Sequence, residues 1–151
     1  MLSIAGLLVA LVPPAVSAVV PGMKAKVAAL DLASTLREAR FNAISRSTTI
    51  DVEFDLESGS YVVKDHSKIT NLPRGTALVI QARRGYVSET RRVAGHSLQE
   101  NRSRYTLRFY ADGSSSGLEA RVGPEQGGGW IVVVDWLFGG ASVSRASGNE
   151  A

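Results

Sequence analysis

The chain has 151 residues, 44% of them hydrophobic and 21% charged, with a net charge of +3 and no cysteine. This leaves room for one compact domain and an appendage, fits a globular composition and not a disordered one, and excludes disulfides, thiolate metal sites and thiol nucleophiles. The positive charge is local: between Arg83 and Arg104 six arginines oppose two glutamates, a net of +4, so the remainder is slightly acidic.

Leu2 to Val20 carries no charged residue. A spanning helix needs about 20 apolar residues. The side chains that would meet lipid, and later neighbouring helices, are Leu2, Ile4, Leu7, Leu8, Val9, Leu11, Val12, Val16, Val19 and Val20. Pro13 and Pro14 interrupt the run, which membrane helices tolerate better than soluble ones. Three readings stay open. A cleavable secretory signal would use Val16-Ser17-Ala18 as its small-residue site, but no Lys or Arg precedes the run. A buried core helix would be apolar all round, which a domain this size struggles to cover. A retained anchor accounts best for the amphipathic pattern that begins after Gly22. On that reading residues 1–22 are the anchor, 23–48 an amphipathic helix, 49–146 a β-rich domain and 147–151 a flexible tail.

After Pro21-Gly22, Ala25, Ala29, Leu32, Leu36, Ala39 and Ala43 recur at spacings of three and four, one face of a helix. Val27, Leu30, Phe41 and Ile44 are expected to widen that stripe, and the helix to end between Ser45 and Thr48. From Thr49 the period is two. Ile50, Val52 and Phe54 mark a half-buried strand, Ser58-Gly59 a turn, and Tyr61 to Val63 the returning strand. A turn at Leu72 to Gly75 precedes the apolar run Ala77 to Ile80. Residues 83–104 read as a long basic loop, with a short strand near Tyr86 to Val93. Tyr105, Leu107 and Phe109 alternate, then Leu118, Ala120 and Val122, on either side of a turn at Asp112 to Gly117. Gly127 to Gly129 closes a loop, Trp130 to Trp136 is the most strand-like run, and Ala141 to Ser144 the last strand. One helix followed by consecutive strands is an α+β arrangement with an antiparallel sheet.

The tempting chemistry has simpler readings. Gly113 to Gly117 matches G-x-S-x-G, yet a nucleophile elbow needs a helix after it, and the next residues alternate as a strand. His66 and His96 lack zinc spacing. The glycines at 127–129 precede a strand, so they cannot seat a phosphate on a helix. Asp51, Glu53, Asp55 and Glu57 read as a solvated strand face. No catalytic, metal or cofactor site is expected, and no small-molecule substrate.

Three segments together resemble the GspH/FimT-type pseudopilins, minor subunits of type II secretion pseudopili and type IV pili. Phe109-Tyr110-Ala111-Asp112-Gly113-Ser114-Ser115-Ser116-Gly117 is similar to the family's F-x-x-D-G-S-S-x-G turn. Trp130 to Asp135 with Gly139 is similar to its closing strand and glycine turn, and Leu36 to Arg46 to its L-R-x-A-R-x-x-A-I-x-R helix segment. The motif residues carried over are Phe109, Asp112, Gly113, Ser114, Ser115 and Gly117. The resemblance implies a pilin-like fold without catalysis. It also implies a single pass through the bacterial inner membrane with the globular domain in the periplasm. Its partners would be other major and minor pseudopilins and an inner-membrane assembly platform. The alternative it leaves is a DNA-binding minor pilin, with Arg83, Arg84, Arg91, Arg92, Arg102 and Arg104 neutralising phosphates. DNA-binding members carry G-R-x-R after the closing strand, where this chain has Gly139-Gly140-Ala141-Ser142. The family also begins with a basic leader, Gly-Phe and a Glu. They are not seen before Leu2, so codons for them are expected upstream of Met1.

Overall fold

The computed structural model describes residues 16–65, 68–80, 104–124 and 128–146, with helix side chains from Gly22 onward. Helix α1 is Val16–Ser45. Eight strands come after it among the described residues: β1 Ile50–Asp55, β2 Ser60–Val63, β3 Ile69–Asn71, β4 Ala77–Ile80, β5 Arg104–Phe109, β6 Leu118–Gly123, β7 Trp130–Val134 and β8 Ala141–Arg145. The helix crosses the expected 22/23 boundary without a break, although Pro21 removes one backbone donor. It ends in the hydrogen-bond pattern of a Schellman cap. Thr48 N donates to Ala43 O and Ser47 N to Ile44 O, with Ser47 in the left-handed region where glycine is usual.

All pairings are antiparallel, as expected, but the strands divide into two four-stranded sheets, ordered β3-β2-β1-β5 and β4-β6-β7-β8. Alternation tells which residues face inward. It does not tell which strand pairs with which, so the split could not be read from it. Both sheets turn their apolar faces to α1. Val52, Phe54, Leu107 and Phe109 from the first sheet meet Leu118, Ala120, Val122, Val132 and Val134 from the second, around Leu32 and Leu36. Fully burying a side chain of that size contributes about 1.5–3 kcal/mol.

All six helix residues expected in the core are buried, and Ala28 and Ala33 join them. The expected widening is wrong: Val27, Leu30, Phe41 and Ile44 are exposed by 55%, 45%, 68% and 41%. Two sheets cover only one arc of a helix, and Ala28 and Ala33 fill its margins. The strands differ from expectation most plainly at three places. β7 stops at Val134, because Asp135 to Phe138 form a turn. β8 reaches Arg145. β3 has no counterpart in the sequence pattern because its three residues show no apolar alternation. The expected loop and short strand between 83 and 103, both histidines, Gly127 and the tail from Ser147 lie outside the described residues, as does the anchor through Ala15.

Candidate functional site

The motif turn between β5 and β6 is held from three directions. Asp112 Oδ1 accepts from Ser114 N at 2.9 Å and Ser114 Oγ at 2.6 Å, which lowers its pKa, the Ser114 side chain contributing most. Gly113 takes a positive φ of 87°. A side chain there would also press on Ile44 and Arg40 of α1. Ser115 is buried; its Oγ donates to Asp135 O at 2.9 Å and accepts from Gly117 N at 3.0 Å, and its N donates to Trp136 O at 2.8 Å. This serine stands in the nucleophile position of G-x-S-x-G, but it staples two turns together, and strand β6 comes after it. Below the turn, Tyr105 donates its hydroxyl to Gly117 O at 2.9 Å, while burial pushes its pKa up.

The second turn, Asp135 to Gly140, is shaped by Asp135. Its Oδ1 accepts from Leu137 N at 2.9 Å and Phe138 N at 2.8 Å. Gly139 N donates to Asp135 O, and Asp135 N to Gly140 O. Gly139, at φ 62°, is packed so closely that a Cβ would overlap Gly113 O and touch Arg40. Helix α1 locks both turns. Arg40 Nε donates to Gly113 O at 3.0 Å, and Arg37 donates through Nε at 3.2 Å and Nη2 at 2.8 Å to Ala141 O. The family resemblance lies in this helix segment and both turns, and the fold brings all three together. Phe109, Asp112, Gly113, Ser114, Ser115 and Gly117 all serve this junction or border it.

This rigid junction presents apolar side chains to solvent. Trp136, Leu137 and Phe138 are exposed by 49%, 51% and 69%, and Tyr110 and Ile44 by 40% and 41%. A second apolar surface runs up α1. Met23, Val27, Leu30 and Phe41 are separated by four, three and eleven residues, which puts them on one side of the helix, opposite Leu32 and Leu36. Sequence reasoning missed that these form a separate face. The signal was there: large apolar residues on the helix side facing away from an alanine-rich stripe.

The acidic face of β1 is laced by ion pairs. Arg108 clasps Asp51 through Nε–Oδ1 at 2.7 Å and Nη2–Oδ2 at 2.9 Å, and Lys64 meets Glu53 at 2.9 Å. Asp55 accepts from Ser58 N and Glu57 N, which lowers its pKa, the Ser58 bond first. Among the described residues no group of three or more His, Asp or Glu could hold a metal. Of the arginines offered for nucleic acid, only Arg104 is described, in register with Asp55. A groove of about 390 Å³ between α1 and β2–β3 is lined by Thr35, Glu38, Asn42, Tyr61, Lys68 and Thr70. Among the described residues no helix is long and apolar enough to cross a membrane; of the 2–20 run they include only 16–20.

A family profile described as Type II transport protein GspH matches residues 28–140, about three quarters of the chain. No curated protein sequence matches significantly. Two solved structures of the minor pseudopilin EpsH from the type II secretion system of Vibrio cholerae share the fold. One aligns with a TM-score of 0.58 at 15% identity over 86% of this chain and 98% of that one. The other aligns with a TM-score of 0.55 at 14% identity over 84% and 99%.

Proposed function

Because the chain belongs to the GspH family of type II transport proteins, and so is a minor pseudopilin of a type II secretion system, we propose that it works without catalysis, as a membrane-anchored subunit. The carrying observation is the second apolar face of α1. Met23, Val27, Leu30 and Phe41 have no covering element among the described residues. Leaving so much apolar surface in water is unfavourable. The face is useful to a protein whose helix packs among other helices once assembled, where neighbouring subunits cover it. Residues 2–20 would extend this helix through the inner membrane, with the two sheets on the periplasmic side. The exposed Trp136-Leu137-Phe138 turn, fixed by Asp135 and Ser115, would meet a neighbouring pseudopilin as a preorganised contact, which lowers the entropy cost of docking.

The test is complementation. In the parent organism, a Val27→Asp/Phe41→Asp variant should fold and remain in the membrane but fail to restore secretion. Unimpaired secretion would overturn the proposal.

A further inference from the structure

We infer that the end of the domain nearest the apolar segment is a cationic collar that seats on anionic phospholipid headgroups. This rests on the anchoring proposed above and assigns a binding surface beyond it. Lys24 and Lys26 come four and six residues after Val20, about 6 and 9 Å of helix. That is the depth of the headgroup layer outside the hydrocarbon. Lys26 Nζ lies 5.3 Å from the centre of the Trp130 ring. Trp130 pairs with Arg145 across β7–β8 and with Val122 on β6. One step further, Gly123 pairs with Ala77, which Arg74 precedes by three residues in the Pro73–Thr76 turn. Helix, hairpin and turn thus bring Lys24, Lys26, Arg74 and Arg145 to one end, all exposed.

None of these four cations has an ion pair or hydrogen bond to a described residue. Elsewhere Arg46, Lys64 and Arg108 each hold a carboxylate, and Arg37, Arg40 and Arg121 each hold a backbone carbonyl, while Lys68 and Arg104 hold neither among the described residues. The described segments at this end, 22–26, 74–77, 122–124, 128–130 and 144–146, contain no Asp or Glu. Glu125 is the one acid between 124 and 128 in sequence and lies outside the described residues. A half-buried tryptophan among cations with no partner among the described residues is the chemistry of a membrane interface, where indoles sit at headgroup level and each Lys or Arg gains from a negative surface. Duplex DNA offers phosphates too, but the collar rings the foot of the apolar helix, where a bilayer is already present. Seating there would fix the domain's tilt before assembly.

The experiment uses the full chain in vesicles, with Trp136→Phe so that Trp130 is the only indole. Flotation reports insertion, and quenching of Trp130 by headgroup-labelled lipid reports seating. The expected result is flotation with both phosphatidylcholine and phosphatidylglycerol-containing vesicles, but strong quenching only with the latter. Raising salt from about 0.05 M to about 0.5 M should release it. Each of Lys24→Gln, Lys26→Gln, Arg74→Gln and Arg145→Gln should weaken seating about fivefold. Flotation with equal quenching in both lipids overturns the collar and leaves the anchor standing. Flotation with neither overturns the anchor, and the collar with it. Binding of duplex DNA that the quadruple variant loses, with no dependence on lipid charge, replaces lipid with nucleic acid.

Discussion

The two apolar faces of α1 differ in the size of their residues and in what covers them. The inner face is mostly alanine, at 25, 28, 29, 33, 39 and 43, with Leu32 and Leu36 filling the centre, and all are at most 4% exposed. Small side chains let two sheets approach the helix closely, so the core is completed within the subunit. The outer face carries Met23, Val27, Leu30 and Phe41, each exposed by 45% or more. Large side chains with no described element packed over them add little to the stability of the isolated domain. On the function proposed above, the inner face serves folding and the outer face assembly, so a substitution on the outer face should leave stability unmoved.

The largest effect should come from the core. Leu36→Ala, at an inner-face residue 0% exposed, is expected to cost about 2–5 kcal/mol in chemical denaturation. Phe41→Ala, at 68% exposure, should stay within about 0.5 kcal/mol. Equal losses at the two sites would erase the distinction between the faces.

A smaller effect is expected at the junction that locks the turns to the helix. Gly139→Ala should cost about 1–3 kcal/mol through overpacking against Gly113 and Arg40. Gly140→Ala, with open space around it, should be close to neutral. Arg40→Met, which removes the donor to Gly113 O, should cost about 1–2 kcal/mol. If Gly139→Ala proved as mild as Gly140→Ala, the turns would not be packed as described.

The smallest effect concerns acid. The pKa values of Asp112 and Asp55 are lowered in the folded state by bonds from Ser114 and Ser58. Such groups stabilise the fold above the unfolded carboxylate pKa of about 3.9 and lose that contribution as pH falls through the folded value. Stability should therefore be insensitive to these two groups from neutral pH down to about pH 5 and should decline below about pH 4. Asp112→Asn should flatten part of that decline. Because Asp112 is exposed and Asp55 only partly covered, a pH titration of urea midpoints should show a shallow slope.

The inner face is legible in the sequence because it keeps one period and buries everything on it. The outer face reads there as its continuation, since hydropathy alone cannot say which side of a helix its own sheets will reach. The motif turn is legible as a turn from Asp112, Gly113 and Gly117. The role of Ser115 is not, because its partner Asp135 is twenty residues away and is brought near only by the β6–β7 hairpin. Trp136 looks like strand because aromatic residues favour strands. Asp135 overrides that preference by capping the next backbone donors. Arg37 and Arg40 are legible as a resemblance, but not as donors to Ala141 and Gly113.

Cross-linking in the assembling cell tests the two-faced helix most directly. The chain has no cysteine, so Val27→Cys, Leu30→Cys and Thr106→Cys each introduce a single thiol. Thr106 is exposed on the face of β5 turned away from the core. Under conditions that build the pseudopilus, and with a photoreactive cross-linker attached to each thiol, positions 27 and 30 should cross-link to neighbouring subunits and position 106 should not. Cross-links at 106 alone, or none at 27 and 30 while secretion proceeds, would contradict the assignment of the outer helix face to assembly.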